Sequence, residues 1–106
     1  MSLGNYRRKF DIMAAILKVA IHSPKKTQIM YQANLSFQVL QKYLSELINA
    51  SMICFQDEDQ CYTLATKGRL FLEEYKEYSK INKHVEKALT QANVKKENLE
   101  RLFTNS

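Results

Sequence analysis

Residues 54–68 read CFQDEDQCYTLATKG, and the way this stretch is parsed decides the fold. Residues 52–55 (MICF) and 61–64 (CYTL) are short runs of strand-favouring side chains around a polar tip, a pattern that predicts a β-hairpin. Past Thr66, a Lys67-Gly68 pair opens a run rich in Leu, Glu, Lys and Tyr with no proline and no further glycine, which predicts a long helix. The tip carries Asp57, Glu58 and Asp59, so its charge is acidic in a chain whose overall charge is +5.

Upstream, Phe10, Met13, Ile16, Leu17, Ala20 and Ile21 recur at steps of three and four, which predicts an amphipathic helix over 7–22 that ends at HSPKK. TQIMYQA then reads as a short helical segment interrupted by Asn34-Leu35. Ser36 follows in an N-cap position, and Phe37, Leu40, Leu44, Leu47 and Ile48 form a second apolar stripe expected to face a core. Two helices joined by a turn of about three residues make a helix-turn-helix. Adding the hairpin and the final helix gives the order helix, helix, helix, hairpin, helix, that of a winged helix. The expected class is therefore mainly α with a small β-hairpin. A winged helix-turn-helix domain would span 7–66, and a long C-terminal coiled-coil helix 67–106.

Composition bounds the function. With 45% apolar and 25% charged residues the chain is an ordinary globular one rather than a disordered one. No apolar run approaches the roughly 18–20 residues of a membrane span, and MSLGNYRRKF lacks the apolar stretch of a secretory signal. Two cysteines without metal-site spacing fit a reducing compartment, so a cytoplasmic protein is expected. Cys54 and Cys61 read as free thiols, with a disulfide across the hairpin as the alternative. His22 and His84 have no carboxylate or cysteine at ligand spacing, and the chain contains neither a phosphate-binding glycine loop nor a nucleophile motif. Neither an enzyme nor a cofactor is indicated.

The charge is unevenly spread. Residues 1–26 hold Arg7, Arg8, Lys9, Lys18, Lys25 and Lys26 against Asp11, for +5; residues 27–66 hold Lys42 against Glu46 and the three acids of the tip, for −3; residues 67–106 total +3. A basic excess at an amino-terminal arm and at the start of the second helix suits a polyanion partner. With Phe37, Leu40, Leu44 and Leu47 inward, Gln38, Gln41, Lys42 and Ser45 point outward along one side of the third helix. Gln can bond adenine bidentately, Lys can reach guanine or a phosphate, and Ser can pair with several base edges. Arg7, Arg8, Lys9, Lys25, Lys26 and Thr27 would supply backbone contacts, and Ser36 stands at the entrance to the helix. On the pattern alone, the same residues could equally be a solvated polar face.

The last helix carries a seam. Phe71, Tyr75, Tyr78, Asn82, Val85, Leu89 and Ala92 alternate by four and three, and the count continues through Lys96, Leu99 and Phe103, which predicts a coiled-coil surface. A small domain with such a helix has little of its own to cover it, so a homodimer through this helix is expected. QANVKKEN weakens the helix near Asn93, where a break into a separate short helix is expected. Lys76, Lys80, Lys83 and Lys87 form an outer stripe that reads as solvated and paired with nearby Glu.

Taken together, IMYQANLSFQVLQKYLSELINASMI (29–53), YTLATKG (62–68) and FLEEY (71–75) resemble the small archaeal winged-helix DNA-binding proteins and predicted transcriptional regulators, whose last helix pairs as an antiparallel coiled coil. The resemblance implies double-stranded DNA as the partner, base contact by the third helix, dimerisation through the last, and a chromosome-associated location. Two departures stand out: Ser51 occupies the place of a glycine that turns the chain after the third helix, and Ala65 replaces a capping threonine, leaving Thr66 as the expected cap. A function of another class also fits, a protein-interaction module acting through the third helix and the acidic wing.

Overall fold

The computed structural model describes the backbone of residues 3–104 and the side chains of residues 8–104. Four helices and a hairpin follow the expected order: α1 Leu3–Ala20, α2 Lys26–Gln32, α3 Phe37–Asn49, β1 Ile53–Gln56, β2 Cys61–Leu64 and α4 Thr66–Thr104. The core is assembled from one face of each early helix and the first strand; Ile16, Leu17, Ile29, Leu40, Leu47 and Ile53 are all fully buried.

Hydrogen bonds at the helix ends account for the turns. In α1 the helix stops at Ala20, two residues before the expected His22, as Ser23 turns left-handed at φ 52°. The start of α2 is capped from one side only: Gln28 Oε1 accepts from the Lys25 backbone N–H at 2.8 Å, and the Lys25 side chain has no acceptor to return the bond. At its end, Asn34 N–H donates to Tyr31 O and Leu35 N–H to Met30 O, with Asn34 left-handed. This double bond satisfies the last carbonyls and sets the turn into α3. Ser36 then caps α3 as expected, its Oγ accepting from Val39 N–H at 3.3 Å.

The same closure ends α3: Ser51 N–H donates to Ile48 O and Met52 N–H to Leu47 O. Ser51 takes φ 63°, the conformation in which a glycine would be relaxed. A left-handed L-residue costs about 1–2 kcal/mol, and glycine loses about 0.5–1 kcal/mol more entropy on folding, so the two nearly offset. Ser51→Gly is therefore expected to stabilise the protein by about 0.5 kcal/mol in chemical denaturation. A loss of stability would show that the serine side chain supports the turn.

The hairpin is antiparallel with Ile53 opposite Leu64, Cys54 opposite Thr63, Phe55 opposite Tyr62 and Gln56 opposite Cys61. In this register the two cysteines do not face each other, and both are free, Cys54 exposed and Cys61 buried. Tyr62 N–H donates to Pro24 O at 2.8 Å, tying the wing to the α1–α2 turn.

Several expectations change. Phe37, assigned to the core stripe, is 60% exposed, because the first turn of α3 extends past the packed part of the helix. Thr66 is not the cap of α4 but its first helical residue; Ala65 occupies the cap position, its carbonyl accepting from Arg69 N–H at 3.1 Å. The helix runs through Asn93 to Thr104 without the expected break. Asn and Val are only weakly unfavourable in a helix, and without Gly or Pro nothing there forces one. The chain divides into two compact units after Tyr75. The first turns of α4 belong to the winged helix: Phe71 and Leu72 pack against the core, and Phe71 meets Phe10 edge-on at 5.9 Å.

Candidate nucleic-acid interface

The side of α3 away from Leu40, Leu44 and Leu47 exposes Gln38, Gln41, Lys42 and Ser45 in one arc, and Phe37, on the core stripe but in the first turn, is exposed at its edge. The four polar residues expected there are all solvent-accessible. Lys26, the first residue of α2, joins this surface from a different element: its ammonium donates to Gln41 Oε1 and lies 4.6 Å from the centre of the Phe37 ring. Lys42 Nζ sits 5.3 Å from the Tyr43 ring on its own helix. Lys25 and Thr27 are exposed beside Lys26. The result is an α2–α3 surface that combines cations, amides and the exposed Phe37 ring, with no carboxylate in its exposed arc on α3.

The basic residues of the amino terminus are placed differently from the expected arm. Arg8 and Lys9 lie within α1, Arg8 exposed and Lys9 half-buried, while the Arg7 side chain lies outside the described residues. Among the described residues, no hydrogen bond joins Arg8 or Lys9 to α3. Ser36 is committed to its cap bond. Phe37 was missed by sequence reasoning as a surface residue. Its spacing to Leu40 matches the core stripe, and nothing local shows where the neighbouring helices end.

The wing tip holds Asp57, Glu58 and Asp59 exposed to solvent. Gln60 is left-handed at φ 54° and its amide donates to Asp57 O at 2.8 Å, which closes the turn, while Gln56 Nε2 donates to Thr63 Oγ1 at 3.2 Å across the strands. Behind the tip, the Phe55 and Tyr62 rings meet at 4.9 Å, tilted by 51°, and burial pushes the Tyr62 phenol above its ordinary range.

On α4 the seam divides at the unit boundary. Phe71 and Tyr75 are used within their own winged helix: their rings stack at 6.4 Å, the Tyr75 hydroxyl donates to Asp11 Oδ1, and Lys18 Nζ lies 5.7 Å from the Tyr75 ring. Beyond Tyr75 the helix exposes Val85, Leu89, Leu99 and Phe103 along the seam, flanked by Ile81 and Leu102. On the outer stripe, Lys80 and Glu77 form an exposed pair at 3.9 Å, a contact worth little in water. Among the described residues, no three metal-ligating side chains converge and no helix is long and apolar enough to cross a membrane.

Three helices, a two-stranded hairpin and a following helix, with the third helix presenting a polar face, define a winged helix-turn-helix. Residues 6–83 match the family described as winged helix-turn-helix, and the chain belongs to that family. Its fold is similar to that of Sso10a-2, a DNA-binding protein from Sulfolobus solfataricus, with a TM-score of 0.72 and 25% identity over 79% of this chain and 90% of that one. An uncharacterized protein of Methanocaldococcus jannaschii is 39% identical over 72 residues, which is 67% of this chain and 33% of that relative. The chain thus spans about a third of the length of the curated relative it matches.

Proposed function

We propose that the protein binds double-stranded DNA as a homodimer paired through α4, acting in the cytoplasm on the chromosome as a transcription regulator or a coating protein. The observation that carries this reading is the exposed arc of α3 with Lys26 converging on it, a surface with the donors, acceptors and positive charge that a major groove accepts. Similarity to a protein described as DNA-binding supports it. Gln38, Gln41, Lys42 and Ser45 are its base-facing residues, and Arg8, Lys25 and Thr27 its backbone contacts. No chemistry is assigned to it.

The test is a mobility shift on random duplex DNA over a range of salt. Phosphate contacts release counterions, so affinity should fall steeply with salt, and Lys25→Ala should weaken all sequences alike and lower the slope by about one. Absence of binding at about 50 mM salt sinks the proposal.

A second reading, a protein-interaction module, is favoured by the three exposed acids of the wing. Under the DNA reading these acids stay off the backbone and penalise indiscriminate complexes, because like-charge repulsion grows as screening weakens. Changing Asp57, Glu58 and Asp59 to Asn, Gln and Asn should then raise non-specific affinity more than specific affinity, chiefly at low salt. Unchanged binding on both kinds of duplex would leave the wing a bystander to DNA, and weaker binding would mean that the acids contribute directly to recognition.

A further inference from the structure

A lysine ammonium can only donate hydrogen bonds, so the Gln41 group that faces Lys26 has to be its oxygen. That contact orients the amide. Gln41 Oε1 is turned toward α2, and Nε2, with two N–H donors, is the end left to face outward. Adenine's bidentate pairing with a glutamine requires the oxygen to accept from N6 while the nitrogen donates to N7. With its oxygen turned toward Lys26 on α2, Gln41 presents its N–H donors outward instead of the oxygen-and-nitrogen edge that this pairing needs.

One helical turn away, Phe37 stands at the same surface with 60% of its area exposed, its ring held under the Lys26 ammonium. A donor beside an apolar ring distinguishes the four bases. In the major groove cytosine shows a donor, adenine an acceptor beside a donor, and guanine two acceptors with no apolar group; thymine shows the O4 acceptor next to the C5 methyl. Thymine alone offers a partner to both side chains.

Resting on the duplex-DNA reading above, we propose that Lys26, Phe37 and Gln41 form a thymine reader: Gln41 Nε2–H donates to O4, Phe37 covers the 5-methyl, and Lys26 holds both in place. Lys26 is a positioning residue that spans two elements, which makes the reader a property of the α2–α3 arrangement rather than of α3 alone.

The experiment enriches tight binders from a random duplex pool with the wild-type protein, then resynthesises the best duplexes with uracil in place of each thymine in turn, which removes only the methyl. Wild type should lose about fourfold in affinity at one thymine per half-site, the equivalent of one buried methyl. Phe37→Ala should be indifferent to the same replacement. Gln41→Glu keeps the oxygen toward Lys26 and removes both donors, so it should lose its preference for thymine over cytosine at that position. Both residues are exposed, and thermal melting of each variant should match wild type.

Binding that is indifferent to every uracil replacement, or enrichment without any preferred base, overturns the reader while leaving DNA binding intact. An adenine that depends on Gln41 at this position overturns the assigned amide orientation and the reader with it. Failure to bind any duplex removes the underlying function as well.

Discussion

Gly68→Ala is expected to destabilise the winged helix where α4 closes against the turn after α3. A Cβ at this position would lie 2.3 Å from the Met52 carbonyl oxygen and 2.6 Å from Leu64 Cδ1. The Leu64 methyl can turn away, but the Met52 carbonyl cannot, since it accepts from Ala65 N–H at 3.0 Å and follows the turn that ends α3. Gly68 is buried with negative φ, so the demand is for space and not for a special backbone conformation. Alanine would gain about 1 kcal/mol in helix propensity. Against that stand overpacking of about 1–3 kcal/mol or more and a strained hydrogen bond of about 1 kcal/mol. A net loss of about 2 kcal/mol in a domain this small should lower Tm by about 10 °C. An unchanged Tm would mean that α4 does not approach Met52 as closely as the structure has it.

Leu89→Lys is expected to convert the proposed dimer to monomer. In the single chain Leu89 is 61% exposed, as are Val85 at 59% and Leu99 at 68%, at the spacing of one coiled-coil seam. Pairing would bury each leucine for about 1.5–3 kcal/mol, and in a homodimer the substitution removes that contribution from both chains while introducing two charges. The dissociation constant should rise at least about a hundredfold, seen as monomer in sedimentation at micromolar concentration. Far-UV circular dichroism should fall as well, because an unpaired helix frays. Lys83→Ala, on the exposed outer stripe, serves as the control and should stay dimeric. A fully dimeric Leu89→Lys protein would exclude this surface as the interface.

How much of the site was legible follows from where its determinants lie. The polar face of α3 could be read in advance because Leu40, Leu44 and Leu47 orient the helix, and Gln38, Gln41, Lys42 and Ser45 are then outward by periodicity alone. Phe37 could not, since its spacing fits the core stripe and only the end of the packing surface exposes it. Lys26 was legible as a basic residue near the site but not as a partner of Gln41, which lies 15 residues further along the chain. The seam of α4 is a repeat along the sequence, but its periodicity runs through Phe71 and Tyr75 without showing that Phe10 and Asp11 engage them from α1.

By itself the sequence determined what depends on neighbours along the chain: the helices with their 3.6-residue stripes, the Ser36 cap and the hairpin around its acidic tip. Each rests on hydrogen bonds or sterics within a few residues, so residue type and spacing suffice. Only the tertiary structure decided that Gly68 is needed for room against Met52, that α4 belongs to the winged helix as far as Tyr75, and that Lys26 aims the Gln41 amide. These are approaches between elements, set by how side chains of particular volume and charge fill the space between helices, and no local period encodes them.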